Sequence, residues 1–416
     1  MAVTTPRLLV FSSLFPSAVQ PNAGLFIRER MFRVGKHLPI VVVAPQPWFP
    51  GQRLIRWFRP HFRPLASKRE MMDGVAVHRP RFICIPGVLK WTDGLFMALS
   101  SFFTVQRIAR EHHANIIDAH FGYPTGYAAI LLGRWLRLPV MLTLRGKEER
   151  QARTAVGAAL KRAITSADQL ITVSAALQTL AIEQGVDPAR VQVIGNGVDL
   201  AKFTPIPRID ARQELGLPAD AEVLVSAGTL VERKGFHRVI ECLPGLLAAH
   251  PMLHFVIVGG AGPEGDMATK LKRLTRTLGL DDRVHFVGPL PNDRLKVPLS
   301  AADVFVLATS YEGWANVFLE AMACGLPVVT TNVGGNAQVV NDRSLGRIVP
   351  FGDAQRLQEA IHEALSTPWD RQSIRAYAQS NSWDCRMQPL LDAYQQLLSR
   401  GRKEQAYALA ETGNAG

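Results

Sequence analysis

A chain of 416 residues, 47% of them apolar, with a mean hydropathy of +0.06, has room for two domains of ordinary size, each with its own core. No apolar run approaches the roughly 18 residues of a membrane span, and Cys84, Cys242, Cys324 and Cys385 form neither a Cys-x-x-Cys pair nor a His/Cys metal spacing. A membrane-spanning protein, a zinc module and a disulfide scaffold are thereby disfavoured, and a reducing cytosol is the expected compartment. The net charge of +12 is concentrated in the first half, where residues 1–190 hold 25 Lys and Arg against 11 Asp and Glu.

Leu8 to Phe11 reads as a first buried strand rather than a signal peptide, because no small-residue cleavage pattern follows. Pro16, Pro21 and Gly24 punctuate the next loop, and Leu25-Phe26-Ile27-Arg28 opens a helix. A Gly at such a turn often serves the backbone alone, and Arg28 reads equally as a solvated helix residue. Ile40 to Val43 is a second strand. Trp48, Phe49, Arg53, Arg56, Trp57, Phe58, Arg59, Phe62, Arg63, Lys68 and Arg69 then form an aromatic and basic segment with no acid before Glu70. That mixture suits an anionic membrane surface, where each nearby cation contributes about 1 kcal/mol. Nucleic acid would use the same charges but is not the expected partner, and a solvated loop is the plain alternative.

Ile116 to Ala119, Val140 to Leu144 and Leu170 to Val173 continue the strand series. His120 follows the first of them, at the carboxyl end where open α/β sheets bind ligands, and Arg145-Gly146 follows the second. Taken alone, a His after an apolar run is more often a core residue. After Pro205 and Pro207 a second series begins with Val223 to Val225, His254 to Val258, Val284 to Val287, Val304 to Leu307 and Val328 to Thr330. Short apolar runs alternating with helical stretches predict an α/β chain of two doubly wound, Rossmann-like domains.

In the second series, Arg233 and Lys234 precede Gly235 in a turn that can neutralise a diphosphate, although taken alone an Arg-Lys-Gly turn is usually solvated surface. Gly259, Gly260 and Gly262 belong to a loop with a formal Gly-x-Gly-x-x-Gly, which a flavin or nicotinamide enzyme would use. The next strand, however, ends at Gly288 with no acid for the ribose hydroxyls. The stretch from Tyr311 to Gly335 is the most informative. Trp314, Ala315 and Asn316 are helix-start positions, apolar residues run to Cys324, Gly325 suits a left-handed stop and Pro327 forbids continuation. Amides near Asn316 and Val317 can hold a diphosphate. Glu312 ahead of the helix can accept from sugar hydroxyls, and Glu320 within it can clamp a ribose; taken singly, Glu312 reads rather as a solvated loop residue and Glu320 as an acid that complements the helix dipole. Two further helices, Gln372 to Ala378 and Met387 to Leu398, precede a polar end.

The Tyr311 to Gly335 stretch, with Glu320-Ala321-Met322-Ala323-Cys324-Gly325-Leu326-Pro327-Val328-Val329 and the pair Gly334-Gly335, resembles the glutamate-seven-residues-glutamate motif of retaining GT-B glycosyltransferases, specifically glycosyltransferase family 4. Val225 to Gly235, Val256 to Gly262, Ala119-His120 with Pro124-Thr125-Gly126, and Thr143 to Gly146 match further elements, so the likeness spans about 380 of the 416 residues. Four positions depart: the usual Arg before Lys234-Gly235 is Thr229, the usual acid after the Gly pair is Gln338, the acid usual two residues after Arg145-Gly146 has become Glu148, and the usual Pro before Asn196-Gly197 is Gly195.

The resemblance implies an acceptor-binding domain over 1–204 and a nucleotide-sugar domain over 205–381. A helix at about 382–400 would pack back on the first domain, and 401–416 would form a loose tail. It implies transfer of a sugar from a nucleotide diphosphate sugar to a hydroxyl, with His120, Glu312 and Lys234 as catalytic residues. Donor contacts would come from Gly24, Arg233, Lys234, Gly259, Gly260 and Gly262, and from Glu312, Gly313, Trp314, Ala315, Asn316, Val317 and Glu320. Arg28 and Arg145 would serve the acceptor side. No Asp-x-Asp pair occurs, so neither metal nor other cofactor is expected. The expected acceptor is a lipid-linked or glycan hydroxyl, met at the inner face of an anionic membrane. An oxidoreductase using the Gly260 loop, or a silent scaffold of the same fold, are the alternatives.

Overall fold

The computed structural model describes residues 5–21, 23–58, 64–85, 87, 89–262 and 265–413. Arg59, Phe62 and Arg63 of the basic segment, and the side chains of Arg53 and Arg56, lie outside what is described. The chain divides into two compact units, Met1–Asn196 with Arg386–Gly416, and Gly197–Cys385. The first junction falls at 196/197, against 204/205 expected from Pro205 and Pro207.

The first unit holds an eight-stranded sheet in the order Val191–Val193, Gln169–Thr172, Val140–Leu144, Ile116–His120, Leu8–Phe11, Ile40–Val43, Val75–His78, Arg69–Met72. Every pair is parallel except the last. The central strands are buried along their whole length, as strands covered by helices on both faces must be, and this makes them legible as continuous apolar runs. The antiparallel edge pair escaped the sequence reading because Arg69–Met72 alternates between exposed and partly buried positions and the apolar run of Val75–His78 is only three residues long. Its turn is Asp73-Gly74, both at positive φ (47° and 81°), the conformation that two-residue hairpins favour. Gln46–Trp48 and Arg81–Ile83 form a separate parallel pair.

The second unit is a six-stranded, fully parallel sheet ordered Val284–Gly288, Leu253–Val258, Glu222–Ala227, Val304–Leu307, Val328–Thr331, Gly346–Val349. Alternate residues of one strand enter different cores: Val223, Val225 and Ala227 join Phe305 and Phe318 on one face, while Leu224 joins Phe255 and Phe236 on the other. Asp370 caps Arg371–Ser380 by accepting from the Gln372 and Ser373 amides. The final helix runs Trp383–Gly413, so the stretch expected to be loose is helical through Gly413. No helix among the described residues is long and apolar enough to cross a membrane.

Candidate active site

In the second unit the strand order reverses at its centre, where Glu222–Ala227 has Leu253–Val258 on one side and Val304–Leu307 on the other. Loops leaving the carboxyl ends of two such strands part in opposite directions and open a crevice. The loop after Ala227 carries Arg233 and Lys234, and the loop after Leu307 carries Glu312. Across it, Lys234 Nζ lies 2.5 Å from Glu312 Oε1, and Arg233 Nη1 lies 3.2 Å from the same oxygen and 3.3 Å from the Tyr311 carbonyl. Thr309 Oγ1 completes the junction, 2.9 Å from the Arg233 carbonyl and 3.4 Å from Oε1. Glu312 is only 8% exposed, so two cations compensate a largely dehydrated carboxylate through charge-assisted hydrogen bonds.

The approach of these loops depends on two glycines. A Cβ on Gly235, at φ 73°, would stand 1.9 Å from the Ala308 carbonyl oxygen, and one on Gly334, at φ 51°, would stand 1.6 Å from the carbonyl oxygen of Glu312 itself. Any side chain at either position would push a loop off the site. On the other flank, the Gly228 amide donates to the Val258 carbonyl at 3.0 Å and the Leu230 amide to the Gly260 carbonyl at 2.8 Å. The Gly259–Gly262 turn thereby lies along the Lys234 loop.

The helix Asn316–Ala323 starts directly after Glu312, Gly313, Trp314 and Ala315, and no side chain caps its first amides. The Phe318 amide donates to the Ala315 carbonyl at 3.1 Å, and the start of the helix carries the positive end of its dipole. Trp314 and Val317 pack on the core beneath, and Glu320 lies half-buried one turn in. The helix ends at Cys324, with Gly325 at φ 80°.

In the first unit the reversal lies between Leu8–Phe11 and Ile116–His120. Gly24, at φ 69°, caps Leu25–Val34 there. The Ser13 and Thr125 hydroxyls, 2.9 Å apart, join the two loops, and the Phe26 ring meets Phe121 edge-on at 6.3 Å. His120 is fully buried, its Nδ1 3.2 Å from Arg145 Nη2 and its Nε2 3.7 Å from Asp118 Oδ2. Burial, then the Arg145 and Arg30 charges, hold the imidazole pKa well below 6.5, so the ring is neutral at pH 7. Arg145 donates to Asn196 Oδ1 at 3.2 Å and lies over Phe26 at 5.1 Å. Arg28 is placed apart from this group, ion-paired with Asp73 and 3.8 Å from Glu29.

The sequence reading gave no role to the groups that hold these residues. Asp118 accepts from the Tyr394 hydroxyl of the C-terminal helix at 2.7 Å, and burial raises its pKa from 3.8 to about 6. Arg30 reaches the Ile194 carbonyl at 2.7 Å. Glu148 receives the amides of Gly122, Arg145 and Gly146 at 2.9, 3.1 and 2.7 Å. A charged residue inside the apolar run Ile116-Ile117-Asp118-Ala119 was the available signal, since a buried charge requires a partner. Thr309, directly behind Val304–Leu307, had only its position at a strand end to mark it.

Residues 207–381 match the family model for Glycosyl transferases group 1, and residues 58–202 that for Glycosyltransferase Family 4. The chain is 31% identical over 376 residues to TuaC of Bacillus subtilis (strain 168), a glycosyltransferase assigned to teichuronic acid biosynthesis, covering 87% of this chain and 91% of that one. Its fold is similar to that of sucrose-phosphate synthase from Thermosynechococcus elongatus, with a TM-score of 0.74 at 22% identity, covering 95% and 100% of the two chains. It is also similar to Anabaena Alr3699/HepE, solved in complex with UDP, with a TM-score of 0.69 at 21% identity over 93% and 98%. The chain belongs to the group 1, family 4 glycosyltransferases and has their GT-B fold of two Rossmann-like domains.

Proposed function

We propose that this glycosyltransferase moves a sugar from a nucleotide diphosphate sugar to the hydroxyl of a lipid-linked or glycan acceptor, keeping the anomeric configuration and using no metal. The observation that carries the reading is the convergence of Lys234 Nζ and Arg233 Nη1 on one Glu312 oxygen at the sheet reversal, just ahead of the helix that starts at Asn316. A donor diphosphate gives those cations a second anion. As it binds, Lys234 and Arg233 turn part of their charge to the phosphates, and the Glu312 carboxylate becomes free to accept from sugar hydroxyls. Amides at Asn316 and Val317 take further phosphate oxygens, Glu320 the ribose, and Gly259, Gly260 and Gly262 line the nucleotide.

In the reaction the anomeric carbon loses its bond to the diphosphate oxygen and gains one to the acceptor oxygen. The acceptor proton passes to the leaving diphosphate, and the stabilising charge comes from Lys234, Arg233 and the helix start. By family resemblance, His120, neutral and held by Arg145, would contact the transferred sugar, and Gly24 the diphosphate. The complex of HepE with UDP and the teichuronic acid assignment of TuaC support a UDP-type donor and a cell-surface glycan product. The basic segment from Trp48 to Arg69 supports contact with an anionic membrane, which loss of liposome binding on replacing Arg53, Arg56 and Arg59 together would test. Glu312→Ala and Lys234→Ala should each lower turnover at least about a hundredfold, the scale of losing one electrostatic donor. A wild-type rate in either variant would overturn the reading. A thermal-shift screen against UDP, GDP and ADP identifies the base, since the bound nucleotide raises the melting temperature by mass action.

A further inference from the structure

The helix Asp93–Glu111 of the first unit buries Met97, Ala98, Ser101, Val105 and Ile108 on one face. Its opposite face is apolar as well. Leu95, Phe96, Leu99 and Phe103 are exposed there, Leu99 by 52% and Phe103 by 79%, and their spacing sets them on one stripe. The Phe102 ring joins this stripe to the exposed Trp135 at 5.7 Å, and Trp91, 59% exposed, stands just ahead of the helix. Farther along the same face the apolar residues give way to Arg107 and Arg110, both exposed.

Charge around the stripe is predominantly positive. Residues 83–137 contain Lys90, Arg107, Arg110, Arg134 and Arg137 against three acids. Asp93 and Asp118 are buried, which leaves Glu111, 3.6 Å from Arg107. Exposed apolar residues scattered singly need no explanation, but a contiguous group with a charged rim marks a binding face.

We propose that this face seats the first unit on an anionic lipid bilayer, an inference that rests on the glycosyl-transfer reading and names the surface through which a lipid-linked acceptor is met. A second copy of the chain docked about a two-fold axis would set the arginine rim against itself. A neutral apolar partner would cover the phenylalanines and leave the rim without counter-charge. A bilayer with anionic headgroups meets both requirements: the acyl boundary takes Leu95, Phe96, Leu99 and Phe103, the headgroups take Arg107 and Arg110, and Trp91 and Trp135 lie at the depth where indole rings settle.

Vesicle flotation of the full chain tests this, using phosphatidylcholine with and without phosphatidylglycerol. The wild type should float with the anionic vesicles, and the joint variant Phe96→Ser, Leu99→Ser, Phe103→Ser should lose at least about tenfold in the bound fraction, while its melting temperature and its shift with UDP are unchanged. Arg107→Gln with Arg110→Gln should weaken binding to anionic vesicles only, and added salt should erase that difference. If the serine variant floats like the wild type while the Arg53, Arg56, Arg59 variant does not, the helix face is not the docking surface and the basic segment is. If the wild type transfers sugar but floats with neither vesicle, membrane docking falls and the transfer reading stands. A wild-type dimer that the serine variant dissociates, without vesicle binding, would assign the face to self-association.

Discussion

The two sheet reversals carry charge in opposite ways. In the second unit, Lys234, Arg233 and Glu312 meet at the ends of loops, with side-chain exposures of 13%, 25% and 9%. In the first unit, Asp118 and His120 lie within the strand itself, at 1% and 0%. Charges at loop ends can exchange one partner for another when a polyanion arrives, because solvent and the ligand both reach them. Charges inside a strand cannot, and the fold instead suppresses them: burial raises the carboxyl of Asp118, keeps His120 neutral, and lowers Arg30 to about 10. The second arrangement suits binding, and the first suits holding a ring in one orientation.

The largest effects should come from breaking the exchangeable cluster. Gly334→Ala puts a methyl group into the space of the Glu312 carbonyl, and should lower turnover as far as Glu312→Ala does, at least about a hundredfold. Circular dichroism should show the fold retained; near-wild-type turnover would mean that the loop yields without moving the carboxylate.

For the buried cluster the effect is on stability and on its pH dependence. Asp118 takes up a proton at a higher pH in the folded state than unfolded, so its contribution to stability falls as the pH rises from about 4 to about 6. His120 has the opposite sign: the unfolded ring binds a proton that the buried ring refuses, so its contribution is lost as the pH drops below 6.5. Asp118→Asn removes only the first, and should therefore gain on the wild type by roughly 2 kcal/mol between pH 4 and pH 6, most of the equivalent of the carboxyl's rise. Denaturant melts at pH 4, 5 and 6 measure it, and a constant gap between the two proteins would show that Asp118 does not titrate there.

Tyr394→Phe leaves the Asp118 oxygen without its hydroxyl donor and should cost about 1 to 3 kcal/mol in the same melts at pH 7. An unchanged midpoint would place a water in the hydroxyl's role. The smallest effect belongs to Arg28→Ala. Its partner Asp73 has a side chain 67% exposed, so the loss should stay under about 1 kcal/mol. A larger loss would show the guanidinium supporting its helix through Phe32, over which it lies at 5.1 Å.

Local pattern carried most of the architecture. Continuous apolar runs marked the central strands because both faces of each sheet are covered, and Ala315 to Gly325 with Pro327 marked one helix with its two ends. Arg69–Met72 was not legible, because an edge strand exposed on one side has no such run, and neither was Val75–His78, whose apolar run stops after three residues. Among the candidate site residues, Arg233, Lys234 and Glu312 were singled out by the family resemblance of the strings that carry them, and Thr309 was not, since a Thr at a strand end is ordinary until its neighbours are known.

The sequence by itself determined two Rossmann-like domains, the helix start at Asn316 and the two acids around it, because helix caps, glycine turns and strand burial are set by residues within a few positions of one another. Tertiary structure alone decided that Lys234 and Glu312, 78 residues apart, share one hydrogen bond, and that Tyr394 serves Asp118 across 276 residues. Such pairs are fixed by strand order and by the return of the last helix to the first unit, and local periodicity carries no record of either.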